Sequence, residues 1–391
     1  MDERQADSAA GAPNRRPRVL LLIKCLGFGG AEQLLVDVVA NRHAEAFDYE
    51  VAYVLAAENS LVPEVEASGV HVHCLGARGN GDPRWIPRLR RLLVEKDYDL
   101  VHLHLPYAAA LGRLVAWTVA GRRRPVLVYT DHNMWDKTVR PLRLLNRLGI
   151  GRDAGLIAVS ASVGGALPAP LRRRATVIVH GIDQRRIAEV RSRGAVLRAE
   201  VRAEIGLADD ELLALTVANL RTQKGYDVLL DAARKVVDAG TPVRFAAVGR
   251  GPQADEIHAR HRALALGDHV VFLGPRSDVL RLVAAADLFV LPSLYEGLPV
   301  AVMEATSMGL PIVTTAVGEI PAFLTDGEDA LVVSPGDAEA LAAAVIRLAT
   351  DEVLRTRLGQ AALAHAAMFD IARAVDEIEA IYRRLLVEHL S

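Results

Sequence analysis

PSLYEGLPVAVMEATSMGLPIV, residues 292–313, follows the apolar run 288–291 and ends in a second apolar run. It reads as strand, loop, helix and strand. Pro299 fits the first position of the helix, where its missing N–H would have no helical partner anyway. The next amides, at Val300 and Ala301, are then left open at the positive end of the helix dipole, a place suited to a diphosphate. Glu296 lies in the loop with Gly297 and Leu298, while Glu304 lies inside the helix. The two carboxylates can therefore grip different parts of one ligand, each accepting two hydrogen bonds from hydroxyls.

The same rhythm runs outward through the chain. Short Val-, Ile- and Leu-rich runs at 19–23, 49–56, 70–75, 100–104, 125–130, 156–159 and 176–179 alternate with helical patterns. The charged stretch 184–210 is poor in strand signals and forms the junction. The alternation restarts with strands at 213–218, 243–248, 270–273, 288–291, 312–314 and 330–333. Helices at 338–348 and 371–390 follow, separated by a turn near Phe369 and Asp370. Such patterns indicate α/β architecture with parallel sheets covered on both faces. The predicted organisation is a disordered leader over 1–17, a Rossmann-like domain over 18–185, a second over 186–368, and a helix over 369–391 crossing back. Ligands of such sheets bind beyond the strands' carboxyl ends, so both domains should face one cleft.

Composition excludes several classes. With 391 residues, 51% apolar and 24% charged, the chain suits a globular protein of two domains. No run reaches the ~18 apolar residues of a spanning helix, and the polar start lacks a signal-peptide core, so the expected location is cytoplasmic. The only cysteines, Cys25 and Cys74, form no metal motif and read as buried free thiols. The net charge of −2 hides a basic first half and an acidic second half. Clusters at Arg88/Arg90/Arg91, Arg122–Arg124, Arg140/Arg143/Arg147 and Arg172–Arg174 suit anionic lipid or an anionic acceptor; ordinary solvated faces explain them as well.

Three further places carry chemistry. In VANLRTQKGYDVLL, residues 217–230, a strand ends, Asn219, Arg221 and Lys224 follow, and Gly225 allows a tight turn. Two cations at a strand end suit a pyrophosphate and stabilise charge developing on it. In GFGGAE, residues 27–32, Gly29 and Gly30 let amides approach a phosphate without a Cβ clash, although Glu32 replaces the third glycine of the dinucleotide fingerprint. His104 and His132 each follow a strand. His102 and His104 share one strand face, but no third ligand completes a metal site. Asp97-Tyr98-Asp99 reads as a helix-to-strand turn.

Residues 292–313 resemble the signature of family 4 retaining glycosyltransferases, which have the GT-B fold. The match extends in order over most of 18–370, through 217–230, VSASV at 159–163, VIVHGID at 177–183, VGRGPQ at 248–253 and FLGPRSDV at 272–279. Two departures stand out: Asn219 occupies the family's usual arginine position, and His180 replaces its usual asparagine. The resemblance implies that Glu296 holds the donor sugar's hydroxyls, Glu304 the ribose hydroxyls, and Lys224 with Arg221 the diphosphate. It implies that His132 lies beside the reacting sugar, His104 lines the acceptor side, and the loop with Arg276 meets the nucleobase. It further implies metal-independent retaining transfer from a nucleotide sugar, UDP favoured, to an acceptor hydroxyl that is lipid-linked, phosphorylated or a small soluble molecule. Contact with the inner membrane face would suit the first of these, and nucleic acid is not an expected partner. A sugar-nucleotide epimerase, a phosphorylase or a non-catalytic binding member are the competing readings.

Overall fold

A computed structural model describes residues 15–120, 124–132, 135 and 139–390. Most of the predicted leader, together with Arg122 and Arg123, lies outside the described residues. The first sheet holds β1 (Arg18–Ile23), β2 (Asp48–Leu55), β3 (His71–Ala77), β4 (Leu100–His104), β5 (Val126–Asp131), β6 (Gly155–Ala158) and β7 (Ala175–Val177). The second holds β8 (Leu212–Val217), β9 (Val243–Val248), β10 (Val270–Gly274), β11 (Leu288–Leu291), β12 (Ile312–Thr315) and β13 (Leu331–Val333). All ladders are parallel, in the orders β3-β2-β1-β4-β5-β6-β7 and β10-β9-β8-β11-β12-β13. The fold is thus α/β with two Rossmann-like domains. In each, the strand order reverses once, between β1 and β4 and between β8 and β11. The crevice that binds ligands in doubly wound sheets opens at that reversal.

The hydrophobic cores show where the chain changes domain. Ile178 packs in the first core and Ile182 in the second; on the return, Phe369 packs in the second and Ile371 in the first. The two crossings are bonded together, Ile182 N–H donating to Phe369 O at 2.8 Å and Ile371 N–H to Ile182 O at 3.2 Å. Gly181 sits between them with no room for a side chain, since a Cβ there would lie 2.4 Å from Ile371 N. Helix Ile371–Leu390 then adds Val375, Ile378 and Tyr382 to the first core, packing on helix Gly30–Ala40 and on β5.

Three expectations need correction. The strand signals at 125–130 and 156–159 left the stretch between them unassigned, yet helix Arg140–Gly149 fills part of it. Another helix, Glu352–Leu363, stands between the two predicted terminal helices, capped by Asp351, which accepts from Leu354 N–H at 2.8 Å. Cys25 is buried but Cys74 is exposed, because β3 is an edge strand with one face in water. Asp97-Tyr98-Asp99 does form a turn: Asp97 ends helix Trp85–Lys96 in the left-handed region at φ 53°. No helix among the described residues is long and apolar enough to cross a membrane.

Candidate active site

Both strand-order reversals open onto one cavity of about 1040 Å³, its mouth included. From the first domain it is lined by Gly29 and Gly30, which start helix Gly30–Ala40 after β1. From the second it is lined by Val300 and Ala301, which start helix Val300–Met308 after β11. Neither N-cap residue, Gly29 or Pro299, makes a capping side-chain bond, although the Glu32 carboxyl bonds its own N–H in the first turn of the first helix. The two starts face each other, since a methyl on Gly30 would stand 3.4 Å from Val300 Cγ2. Two open helix N-termini thus converge from opposite sides, which favours an anion between them.

The loops after β8 and β11 lock together to place the charged groups. Gly225 sits at φ 65° with no room for a side chain, which would run into Pro292 O, and Leu294 N–H donates to Gln223 O at 2.7 Å. This brings Lys224 Nζ to 2.5 Å from Glu296 Oε1, which also accepts from Ser293 Oγ at 2.6 Å. Gly297 closes over the first domain, where a Cβ would meet Val163 Cγ2 at 3.3 Å and His132 O at 3.7 Å. Behind it Glu319 N–H donates to Gly297 O at 3.0 Å, and the Glu319 carboxylate accepts from Ser162 N–H in the other domain.

Of the residues picked out in the sequence, Gly29, Gly30, Asn219, Lys224, Arg276, Val300, Ala301 and Glu304 line the cavity. Glu296 is buried at its edge through Lys224. Gly297 and Leu298 shape the same loop without lining the cavity, and Arg221 is exposed outside it. Arg276 reaches the lining, but its guanidinium is held by Asp278 and Glu204, both at 2.7 Å, which raise its pKa further.

Glu304 faces charges that the sequence did not reveal. Burial, then the Asp37 carboxylate across the cleft, push its pKa up to about 8, opposed by Arg186. Asp37 itself, on helix Gly30–Ala40, is pushed up to about 7 by burial, against a hydrogen bond from Gln33 Nε2 at 3.2 Å. Both carboxyls therefore hold their protons readily near neutral pH. Gln33, Arg186 and Arg250 also line the cavity. Arg250 had a visible signal, standing between Gly249 and Gly251 straight after β9.

His132 and His104 belong to a column of four histidines. His102 contacts Tyr382 Oη at 2.5 Å and Thr130 Oγ1 at 2.6 Å. Its ring lies 4.2 Å from that of His104, whose Nδ1 is 3.1 Å from His132 Nε2. His132 stacks on His180, rings 5.4 Å apart and 16° from parallel. Burial lowers the pKa of all four, that of His180 to about 4. All four are thus neutral at physiological pH. Among the described residues, His104 Nε2, His132 Nδ1 and both nitrogens of His180 are buried without a hydrogen-bond partner. Among the described residues no group of three His, Cys, Asp or Glu is placed to hold a metal ion.

Two facing parallel-sheet domains with a cleft between them are the GT-B architecture. The model for glycosyl transferases group 1 matches residues 198–365, and that for glycosyltransferase family 4 matches residues 28–186. Phosphatidyl-myo-inositol mannosyltransferase of Mycobacterium leprae is 30% identical over 318 residues, 78% of this chain and 79% of its own. Alpha-D-kanosaminyltransferase of Streptomyces kanamyceticus is 26% identical over 330 residues, 80% and 84% of the two chains. Among solved structures, Anabaena HepE, crystallised with UDP and glucose, superposes with a TM-score of 0.80 at 21% identity, over 94% of this chain and 100% of its own. The chain belongs to glycosyltransferase family 4 and is a glycosyltransferase.

Proposed function

We propose that this enzyme moves a sugar, with retention at the anomeric carbon, from a nucleotide sugar to an acceptor hydroxyl. The observation that carries the reading is the cleft's pairing of two open helix starts, Gly29/Gly30 and Val300/Ala301, with Lys224. In this reading the diphosphate lies between the helix starts and Lys224 meets its growing negative charge. Asn219 and Arg276 frame the nucleotide, and Glu304 accepts hydrogen bonds from ribose hydroxyls. Glu296, held by Lys224, takes the donor sugar's hydroxyls, with Gly297 and Leu298 closing beside it. Arg221, exposed in this state, would join the diphosphate only by swinging inward.

The acceptor oxygen bonds to the anomeric carbon on the face from which the phosphate oxygen departs, and that phosphate oxygen takes the hydroxyl proton. His132 borders the reacting carbon and His104 the acceptor. Cleft closure excludes water and so limits hydrolysis. Because Lys224 and the helix amides meet the diphosphate charge, we propose metal-independent transfer with no cofactor beyond the nucleotide-sugar co-substrate. UDP is the first nucleotide to test, since HepE, of the same fold, was crystallised with UDP. A lipid-linked or phosphorylated acceptor in envelope glycolipid or glycoconjugate synthesis suits the basic first half, and the mannosyltransferase relative is named for a phosphatidylinositol acceptor.

A thermal-shift panel of UDP-, GDP-, ADP- and dTDP-sugars tests this, with Glu304→Ala as control. A donor at 100 times its dissociation constant should add about 2.7 kcal/mol. Stabilisation by one nucleotide series, weakened in the variant, is the expected result. No shift with any donor in a folded sample would overturn the reading.

A further inference from the structure

Helix Arg140–Gly149 buries only Asn146 and Gly149 and turns its other side outward. Leu144 and Leu148 are 60% and 64% exposed, and Val139 just before the helix is 62% exposed. Arg140 and Arg147 are exposed as well and make no ion pair among the described residues. Positions 140, 144, 147 and 148 fall on one helical face, so leucine and arginine share a single outward stripe. The stripe is held rigidly from below. Asn146 Nδ2 donates to Pro106 O at 2.9 Å, and Asn146 Oδ1 accepts from Arg113 Nη1 at 3.0 Å. Arg113 is itself buried on Asp153 at 2.6 Å.

The charge around this stripe is one-sided. Residues 100–182 contain twelve Lys and Arg but only three acids, Asp131, Asp136 and Asp153. Asp131 and Asp153 are buried, and Asp136 lies outside the described residues. The described surface of this stretch therefore shows no carboxylate. Arg152 and Arg174 extend the cationic field past the helix end, donating to Leu148 O at 3.2 Å and Gly151 O at 2.7 Å.

We propose that this face docks on an anionic lipid bilayer, with Leu144, Leu148 and Val139 at the acyl boundary and the arginines among the headgroups. A basic amphipathic helix binds such an interface by combining apolar burial with attraction to anionic lipid. Two copies of this face would repel one another, which argues against self-association through it. The inference deepens the lipid-linked acceptor reading above and rests on it for its purpose. Asn146 ties the helix to Pro106, two residues beyond His104, so the docked face borders the acceptor side of the cleft.

The test is co-sedimentation of the full chain with phosphatidylcholine vesicles, with and without phosphatidylglycerol, at low and high salt. Binding is expected only to the anionic vesicles and should weaken with salt. Arg140→Ala with Arg147→Ala should weaken it roughly 30-fold, at about 1 kcal/mol per surface cation. Leu144→Ser with Leu148→Ser should weaken it at both salt concentrations. The UDP-sugar thermal shift, read on the same variants, should not change, which separates loss of docking from failure of the donor site. Equal binding to neutral vesicles, binding intact in both double variants, or no binding at low salt would each overturn the proposal. So would sedimentation of the lipid-free protein as a dimer that Leu144→Ser with Leu148→Ser dissolves.

Discussion

Lys224 and Glu296 come from different loops and meet at 2.5 Å, with side chains only 16% and 6% exposed. Each is the other's charge partner, so removing either leaves a mostly buried ion alone. Lys224→Ala should cost about 3 kcal/mol of stability, the low end for a broken buried pair. It should also lower kcat by about 10²–10³-fold, the usual cost of losing one group that meets developing charge. Denaturant melts and initial rates read the two effects. A double change to Lys224→Met and Glu296→Gln should recover much of the stability and none of the rate.

Glu304 gives a pH prediction. Its folded pKa, near 8, lies above the ordinary value of 4.5, so the folded protein holds a proton that the unfolded chain gives up. The stabilisation is complete below about pH 4.5 and is lost as pH rises toward 8, by up to about 1.4 kcal/mol per pH unit. Asp37, raised to about 7, acts in the same direction. Glu304→Gln cannot ionise, so its stability relative to wild type should climb across that window. A constant difference between the two in melts from pH 5 to pH 8.5 would contradict the assignment.

His180 stacks on His132 beside the crossing at Gly181. Replacing it with asparagine opens that face of His132 to water and relieves part of the burial that lowers its pKa. The acid limb of the kcat profile should then move up toward pH 6.5, with the donor KM little changed. An unchanged profile would mean that His180 only fills space.

Gly181→Ala forces a Cβ to 2.4 Å from Ile371 N and 2.5 Å from Asp370 C, all backbone. Nothing there can rotate away, so the two crossings must separate. A loss of about 2–3 kcal/mol is expected, within the range for overpacking. Gly79→Ala, in open space, is the matched control and should melt close to wild type.

The sequence carried the strands well because a buried parallel strand announces itself as a continuous apolar run, as in 19–23 and 288–291. Helices next to functional loops were harder. Arg140–Gly149 exposes Leu144 and Leu148, so its apolar pattern does not follow burial. At the site, Lys224, Glu296, Glu304 and the glycines were legible because each sits in a local motif. Asp37 and the stacking of His180 on His132 were not, since both depend on contacts between segments far apart in the chain. No spacing within one segment encodes such contacts. Arg221 shows the converse: a motif can name a residue that the resting structure leaves outside the cavity.

The paired crossings at Ile182 and Phe369 mean that the second sheet's domain is an insertion in the first, entering and leaving through a single joint. An insertion with adjoining ends can be exchanged as a cassette. A hybrid needs to match only the geometry of that joint and the wall of the cleft, while Ile371–Leu390 continues to complete the host's core. A lineage can in this way renew one half of its specificity by recombination and keep the other half intact.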